Sequence, residues 1–315
     1  MKHSKQVLIL FLILFLLSQI LGLSLVTINS ETITVIDEEK QEEITKIIFE
    51  NTTVGERPEI EGTQTLISIG IGIFIGTIIL LLLAKFNKTN LWKHWFFFAV
   101  TITISVSLGV LFNNNLLAWL TAIIVAAWKI YKPNFWIHNL TELFIYPGIA
   151  ILLVPILNVF NAFILLIIIS IYDAYAVWKS KHMITMAKFA KKSNLFPGLA
   201  IAYNTNSGKI KSEKKQNSKK NTKKQKNKTR TGILGGGDIA FPMIFAATFL
   251  VFLLEQGYSN IVAMSYAFII SAFAGISLVM LFLYGKKDSY YPAMPFISAG
   301  CFVGYLIAIL LLNMF

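Results

Sequence analysis

Cysteine is almost missing from this sequence: Cys301 stands alone among 315 residues. A lone cysteine closes no internal disulfide and excludes a cysteine-built zinc cluster. Histidine is nearly as scarce. His3, His94, His138 and His182 lie scattered in termini and joints without ligand spacing, so no metal site is expected and no cofactor is called for. Charge is short as well: only 14% of residues are charged, against about 25% in soluble domains. What remains is apolar, at 56% hydrophobic with a mean hydropathy of +0.66. Such a chain is an integral membrane protein.

A helix needs about 20 apolar residues to cross roughly 30 Å of hydrocarbon. Nine runs answer to that: Val7–Ile28, Leu66–Ala84, Trp95–Phe112, Leu116–Ile130, Leu140–Leu157, Val159–Trp178, Gly232–Leu254, Ile261–Tyr284 and Ala293–Leu312. The fourth and fifth are shortened by Lys129, Lys132 and Pro133. The first has basic residues before it but no clear small-x-small cleavage site, so a retained helix is expected rather than a cleaved signal. The fold class is therefore all-α and membrane-embedded, with nine transmembrane helices. Three parts follow: helices 1–6 over residues 1–178, with an acidic outer loop at 29–65; a basic cytoplasmic loop at 179–231; and helices 7–9 over 232–315.

Lysine and arginine in the joints set the orientation. With the N-terminus in the cytoplasm, Lys85, Lys88, Lys93, Lys129, Lys132, Lys286, Lys287 and the Lys179–Arg230 segment all lie inside, and Phe315 lies outside. Outside, Lys40, Lys46 and Arg57 are outnumbered in a first loop rich in glutamate. Trp92, Trp95, Trp128, Trp136 and Trp178 would ring the inner interface.

The net charge of +12 comes largely from the lysine-rich stretch 204–230, which is too polar to order itself and serves as a tether. Without aromatic interleaving it gives no ground for a nucleic-acid partner. Met183–Lys192 alternates apolar and basic faces and is expected to extend the sixth span along the inner interface. Leu199–Tyr203, with Gly232–Leu234 beyond the tether, has the makings of a two-stranded patch at the membrane surface. Gly70, Gly72 and Gly76 in the second span point to close helix packing.

Two acids remain inside apolar helices, Asp173 and Asp238; Glu142 stands near the inner end of the fifth span. A mid-helix aspartate costs about 2.5–3.5 kcal/mol on insertion scales, so it defaults to a functional role. Asp173 precedes the cytoplasmic end of its span by about five residues, and Asp238 follows the start of its own by about six. Antiparallel neighbours thus carry one carboxylate each at the same depth. Such a pair holds one proton between its members, so one can activate water while the other polarises a carbonyl. A proton or cation relay would use the same placement. Gly235-Gly236-Gly237 before Asp238 permits close backbone approach, Pro242 loosens the helix, and Pro292-Ala293-Met294-Pro295 opens the ninth span irregularly. With Tyr172 beside Asp173, these segments converge on a polar cleft among helices 6, 7 and 9.

Tyr172-Asp173, Gly235-Gly236-Gly237-Asp238 and Pro292-Ala293-Met294 resemble, in order and in ordinal helix, the motifs of the presenilin and signal peptide peptidase family of intramembrane aspartyl proteases. The small size, short loops and basic tether look most like the archaeal members. The resemblance implies that Asp173 and Asp238 are the catalytic pair. It also implies that Tyr172, Gly235, Gly236, Gly237, Pro292, Ala293, Met294 and Pro295 shape the site and seat the substrate. The partners implied are transmembrane helical peptides and the lipid bilayer of the cell membrane. A homo-oligomer is compatible with this, and accessory subunits are not required. Two other activities fit parts of the pattern: an ion channel or transporter, and a prepilin or preflagellin peptidase, although Tyr172-Asp173 and nine spans speak against the latter. Unwinding of the substrate helix would be needed before cleavage, with Leu199–Tyr203 as the segment it pairs with. Deleting those five residues is expected to abolish cleavage and spare folding.

Overall fold

In the computed structural model, the residues described are 5–37, 42–56, 63–193, 195–204, 229–285 and 291–314. The chain runs α1 (Lys5–Ile28), β1 (Ser30–Asp37), β2 (Glu42–Phe49), α2 (Thr63–Lys85), α3 (Thr89–Phe112), α4 (Asn115–Tyr131) and α5 (Phe135–Leu153). It continues with α6 (Val159–Ala174), α7 (His182–Lys192), β3 (Gly198–Asn204), β4 (Thr229–Gly235), α8 (Gly237–Glu255), α9 (Asn260–Tyr284) and α10 (Met294–Leu312). Among the described residues, eight helices are long and apolar enough to cross a membrane, and α4, at 17 residues, is shorter. The protein is a mostly helical, multi-pass integral membrane protein.

Small residues decide which helices touch. Ala118, Ala122 and Ala126 recur every turn on α4, all at 0% exposure, where α4 packs on α3. Gly300 and Gly304 do the same for α10 against α9: a Cβ on Gly304 would lie 2.8 Å from Ile270 Cα. Close backbone approach of this kind replaces the hydrophobic effect as the glue between helices in lipid. The α8 helix is apolar on every face and is accordingly the buried centre, in contact with α1, α5, α6, α9 and α10. The α1 helix is built into the same core through Phe11, Phe15 and Leu23. Its Gln19 donates to Ile239 O of α8 at 3.0 Å and accepts from Ser271 of α9 at 3.2 Å.

Several expectations are corrected. The seventh span starts at Gly237, not Gly232, because residues 229–235 are spent as a strand paired antiparallel with β3. The third and fifth spans begin earlier, at Thr89 and Phe135. Met183–Lys192 does not extend the sixth span. A wide π turn at Tyr175–Lys179 and a left-handed Lys181 (φ 55) end α6, and α7 starts afresh. Gly70, Gly72 and Gly76 do not pack helices, since a Cβ on any of them meets nothing within 4 Å. Trp92 is buried against Phe96 and Phe189 rather than ringing an interface. Leu199 and Ile201 are fully buried, so deleting Leu199–Tyr203 would damage the core. Of the tether at 204–230, Asn204 ends β3 and Thr229 and Arg230 open β4, and residues 205–228 lie outside the described residues.

Gly148 supplies a test of this packing. A Cβ there would collide with the carbonyl oxygen of Thr103 where α5 crosses α3. Gly148→Ala should destabilise by about 1–3 kcal/mol, seen as a lower thermal midpoint in detergent. Gly72→Ala, in open space, should leave the midpoint unchanged or raise it through helix propensity.

Candidate active site

The β3–β4 hairpin and the turn after it place the second aspartate. Gly198 sits at φ +147, and a Cβ there would lie 3.2 Å from Gly235 Cα, so the two strand ends meet as glycines. Gly236 N–H donates to Pro197 O at 3.2 Å. The chain then enters α8, and Asp238 falls in its first turn rather than two turns inside a helix. Gly235 folds back over the carboxylate: a Cβ there would be 3.1 Å from Asp238 Oδ2.

The first aspartate comes from the last turn of α6. Asp173 is 4% exposed. Its Oδ2 accepts the Met294 backbone N–H at 3.0 Å, and its Oδ1 has no hydrogen-bond partner among the described residues. Pro292 and Ala293 precede α10, and Met294 and Pro295 open it as a regular helix in place of the irregular opening expected. A proline in the first turn has no N–H to lose, and Ala293 occupies the N-cap. The free amides at this helix start are what an anionic side chain can accept from. One turn away on each helix, Ser170 donates to Ser298 at 2.8 Å and seals α6 to α10.

Asp173 and Asp238 line one cavity of about 660 Å³, and the charge of Asp173 acts on Asp238. Tyr172, Gly235, Gly236, Gly237 and Met294 line it too; Pro292, Ala293 and Pro295 do not, and serve to set the start of α10. Most of the wall is apolar, drawn from α2, α3, α5, α6, α7 and α8. Tyr172 bridges elements: its hydroxyl bonds Thr77 of α2 at 2.9 Å and His182 of α7 at 3.0 Å.

Sequence reasoning missed a further buried acid. Glu142 is 1% exposed and reaches the cavity wall, paired at 2.6 Å with Lys129, itself 1% exposed rather than an interfacial charge. Tyr146 donates to the other oxygen of Glu142. The signal was present, since a short joint between two antiparallel helices brings Lys129 and Glu142 face to face. His138 and Asn139 were also missed, and they tie α5 to β3.

The family model for signal-peptide peptidase, presenilin aspartyl proteases matches residues 12–314. Two structures of a presenilin family intramembrane aspartate protease are similar in fold. One, in space group P2, is 17% identical, has a TM-score of 0.58, and covers 95% of this chain and 96% of that chain. The other, in space group C222, is 15% identical with a TM-score of 0.55 and covers 94% of each chain. Comparison with curated proteins gives no match. The chain belongs to the signal-peptide peptidase, presenilin aspartyl protease family.

The His182 contact is pH-sensitive with a defined sign. Burial lowers the affinity of His182 for a proton below the ordinary histidine value. The unfolded chain therefore binds that proton first as pH falls, and the stabilising contribution of neutral His182 is lost on acidification below about pH 6.5. The thermal midpoint of the parent should fall further between about pH 7.5 and about pH 5.5 than that of His182→Gln. Equal slopes would remove His182 as the cause.

Proposed function

We propose that the protein is an intramembrane aspartyl endopeptidase in which Asp173 and Asp238 form the catalytic dyad. The observation that carries this is the convergence of two carboxylates, one from α6 and one from the start of α8, on one largely apolar cavity. In that setting the pair holds a single proton. The ionised member takes a proton from water as the water oxygen adds to the peptide carbonyl carbon. The protonated member gives its proton to the carbonyl oxygen. The resulting gem-diol returns one hydroxyl proton to the dyad and breaks its C–N bond as the other aspartate protonates the leaving nitrogen. The cycle ends with the dyad singly protonated, without a covalent intermediate.

The substrate is a transmembrane helical peptide that enters from the bilayer and must unwind before attack, because a helical carbonyl is hydrogen-bonded and shielded. Strand addition supports such unwinding. The outer edge of β3 is occupied: Asn139 both donates to Ala200 O and accepts from Ala200 N–H, each at 3.1 Å. Since Ala200 points its backbone groups away from β4, its partner Ile233 points its own away from β3. An incoming strand therefore adds along β4, next to Asp238. Nine crossings with α4 included, a cytoplasmic N-terminus, a cleft among the sixth, seventh and ninth spans and residence in the cell membrane complete the proposal. The positive joints support it.

Purified protein in liposomes with a tagged transmembrane peptide tests the dyad. Asp173→Ala and Asp238→Ala should each reduce cleavage by at least about 10³-fold. Retained proteolysis in either variant refutes the pair, and ion flux without a cut product points to a channel instead. Ile233→Pro removes an outward N–H while sparing the β3–β4 ladder. It should depress cleavage of the helical substrate by at least about tenfold at an unchanged thermal midpoint, with Ile233→Ala close to the parent.

A further inference from the structure

The face of α5 turned to the site carries polar side chains one turn apart, at His138, Glu142 and Tyr146. Its centre is a fully satisfied ion pair. The three N–H groups of Lys129 Nζ go to Glu142 Oε1 at 2.6 Å, Thr141 Oγ1 at 2.8 Å and His138 O at 3.3 Å. Desolvating two such charges costs about as much as their attraction returns, so stability alone does not account for the pair. The pair instead fixes the Tyr146 hydroxyl, which donates to Glu142 Oε2 with the tyrosine 2% exposed. With its hydroxyl held, the tyrosine ring lies against Gly236, where a Cβ would be 3.1 Å from Tyr146 Cε1. On its N–H side Gly236 donates to Pro197 O at 3.2 Å. The residue two before Asp238, which has no side chain of its own to anchor it, is thereby gripped between a strand entrance and a tyrosine.

We propose that Tyr146, anchored by the buried Lys129–Glu142 pair, is a positioning residue that holds the Gly235–Gly237 turn and through it the orientation of the Asp238 carboxylate. The proposal rests on Asp238 being half of a catalytic dyad. Tyr146 does no chemistry in it. Removing its hydroxyl lets the ring rotate and the glycine turn drift, which misaligns Asp238 for attack but leaves the apolar seat for the substrate intact. The effect therefore falls on kcat rather than KM.

The test uses the full-length protein in liposomes with the tagged peptide, measuring kcat, KM and thermal midpoint. Tyr146→Phe should lower kcat by about tenfold or more with KM within about twofold, a loss larger than any accompanying loss of folded protein. Lys129→Met strands the Glu142 charge and should lower kcat as well. Adding Glu142→Gln, which keeps an acceptor for Tyr146 without the charge, should recover at least about tenfold of that loss. Glu142→Leu on the same background removes the acceptor and should not recover it. A Tyr146→Phe variant with kcat within about twofold of the parent, or a fall in kcat matched by loss of folded protein, overturns the proposal. So does equal recovery by Gln and Leu. An inactive parent, or activity in Asp238→Ala, refutes the underlying dyad and separates that failure from this one.

Discussion

A carboxylate in hydrocarbon must find partners, and the way each buried acid is accommodated organises the helices around it. Asp173 takes an amide from the free N-terminus of α10, which brings α10 beside α6. Glu142 takes an ammonium from α4 and a hydroxyl from one turn along α5. Asp238 sits at the first turn of α8 under a folded-back glycine. The first two arrangements leave an acid almost inaccessible, yet Asp173 still lines the cavity that Asp238 lines.

The framework that holds these acids combines two kinds of packing. Alanine and glycine rows bring α4 to α3 and α10 to α9 within backbone contact, giving a stiff scaffold. Against it stands α2, whose glycines meet nothing and which reaches α6 through a hydroxyl bond between Thr77 and Tyr172. The cavity wall is thus rigid on the α5–α8 side and lightly held on the α2 side. A site built for a helical peptide needs both: fixed carboxylates and a wall that can yield to a bulky guest.

Much of the candidate site is legible in the sequence, for identifiable reasons. Apolar runs near the length of a bilayer crossing identify spans, and an aspartate within one is conspicuous because it is so costly. Tyr172-Asp173 and the glycines before Asp238 stood out in this way. Span boundaries were less legible where polar or glycine residues can serve two structures. Residues 232–235 read equally well as a span start, and only pairing with Gly198–Ile201 makes them a strand. Lys129 was counted as a surface charge because a lysine near a helix end usually snorkels outward. Here a facing glutamate, thirteen positions on, draws it inward.

By itself the sequence determined that the chain lives in a membrane, that its charges favour one orientation, and that two costly acids lie within successive apolar runs, since each of these follows from local composition and the energy of transfer into lipid. Tertiary structure alone decided that Met294 offers its amide to Asp173, that Tyr146 meets both Glu142 and Gly236, and that Asn139 occupies the outer edge of β3. These depend on which helix faces meet across long stretches of chain. Local pattern cannot specify that, because every candidate face is apolar and the choice among them rests on small residues fitting one neighbour and not another.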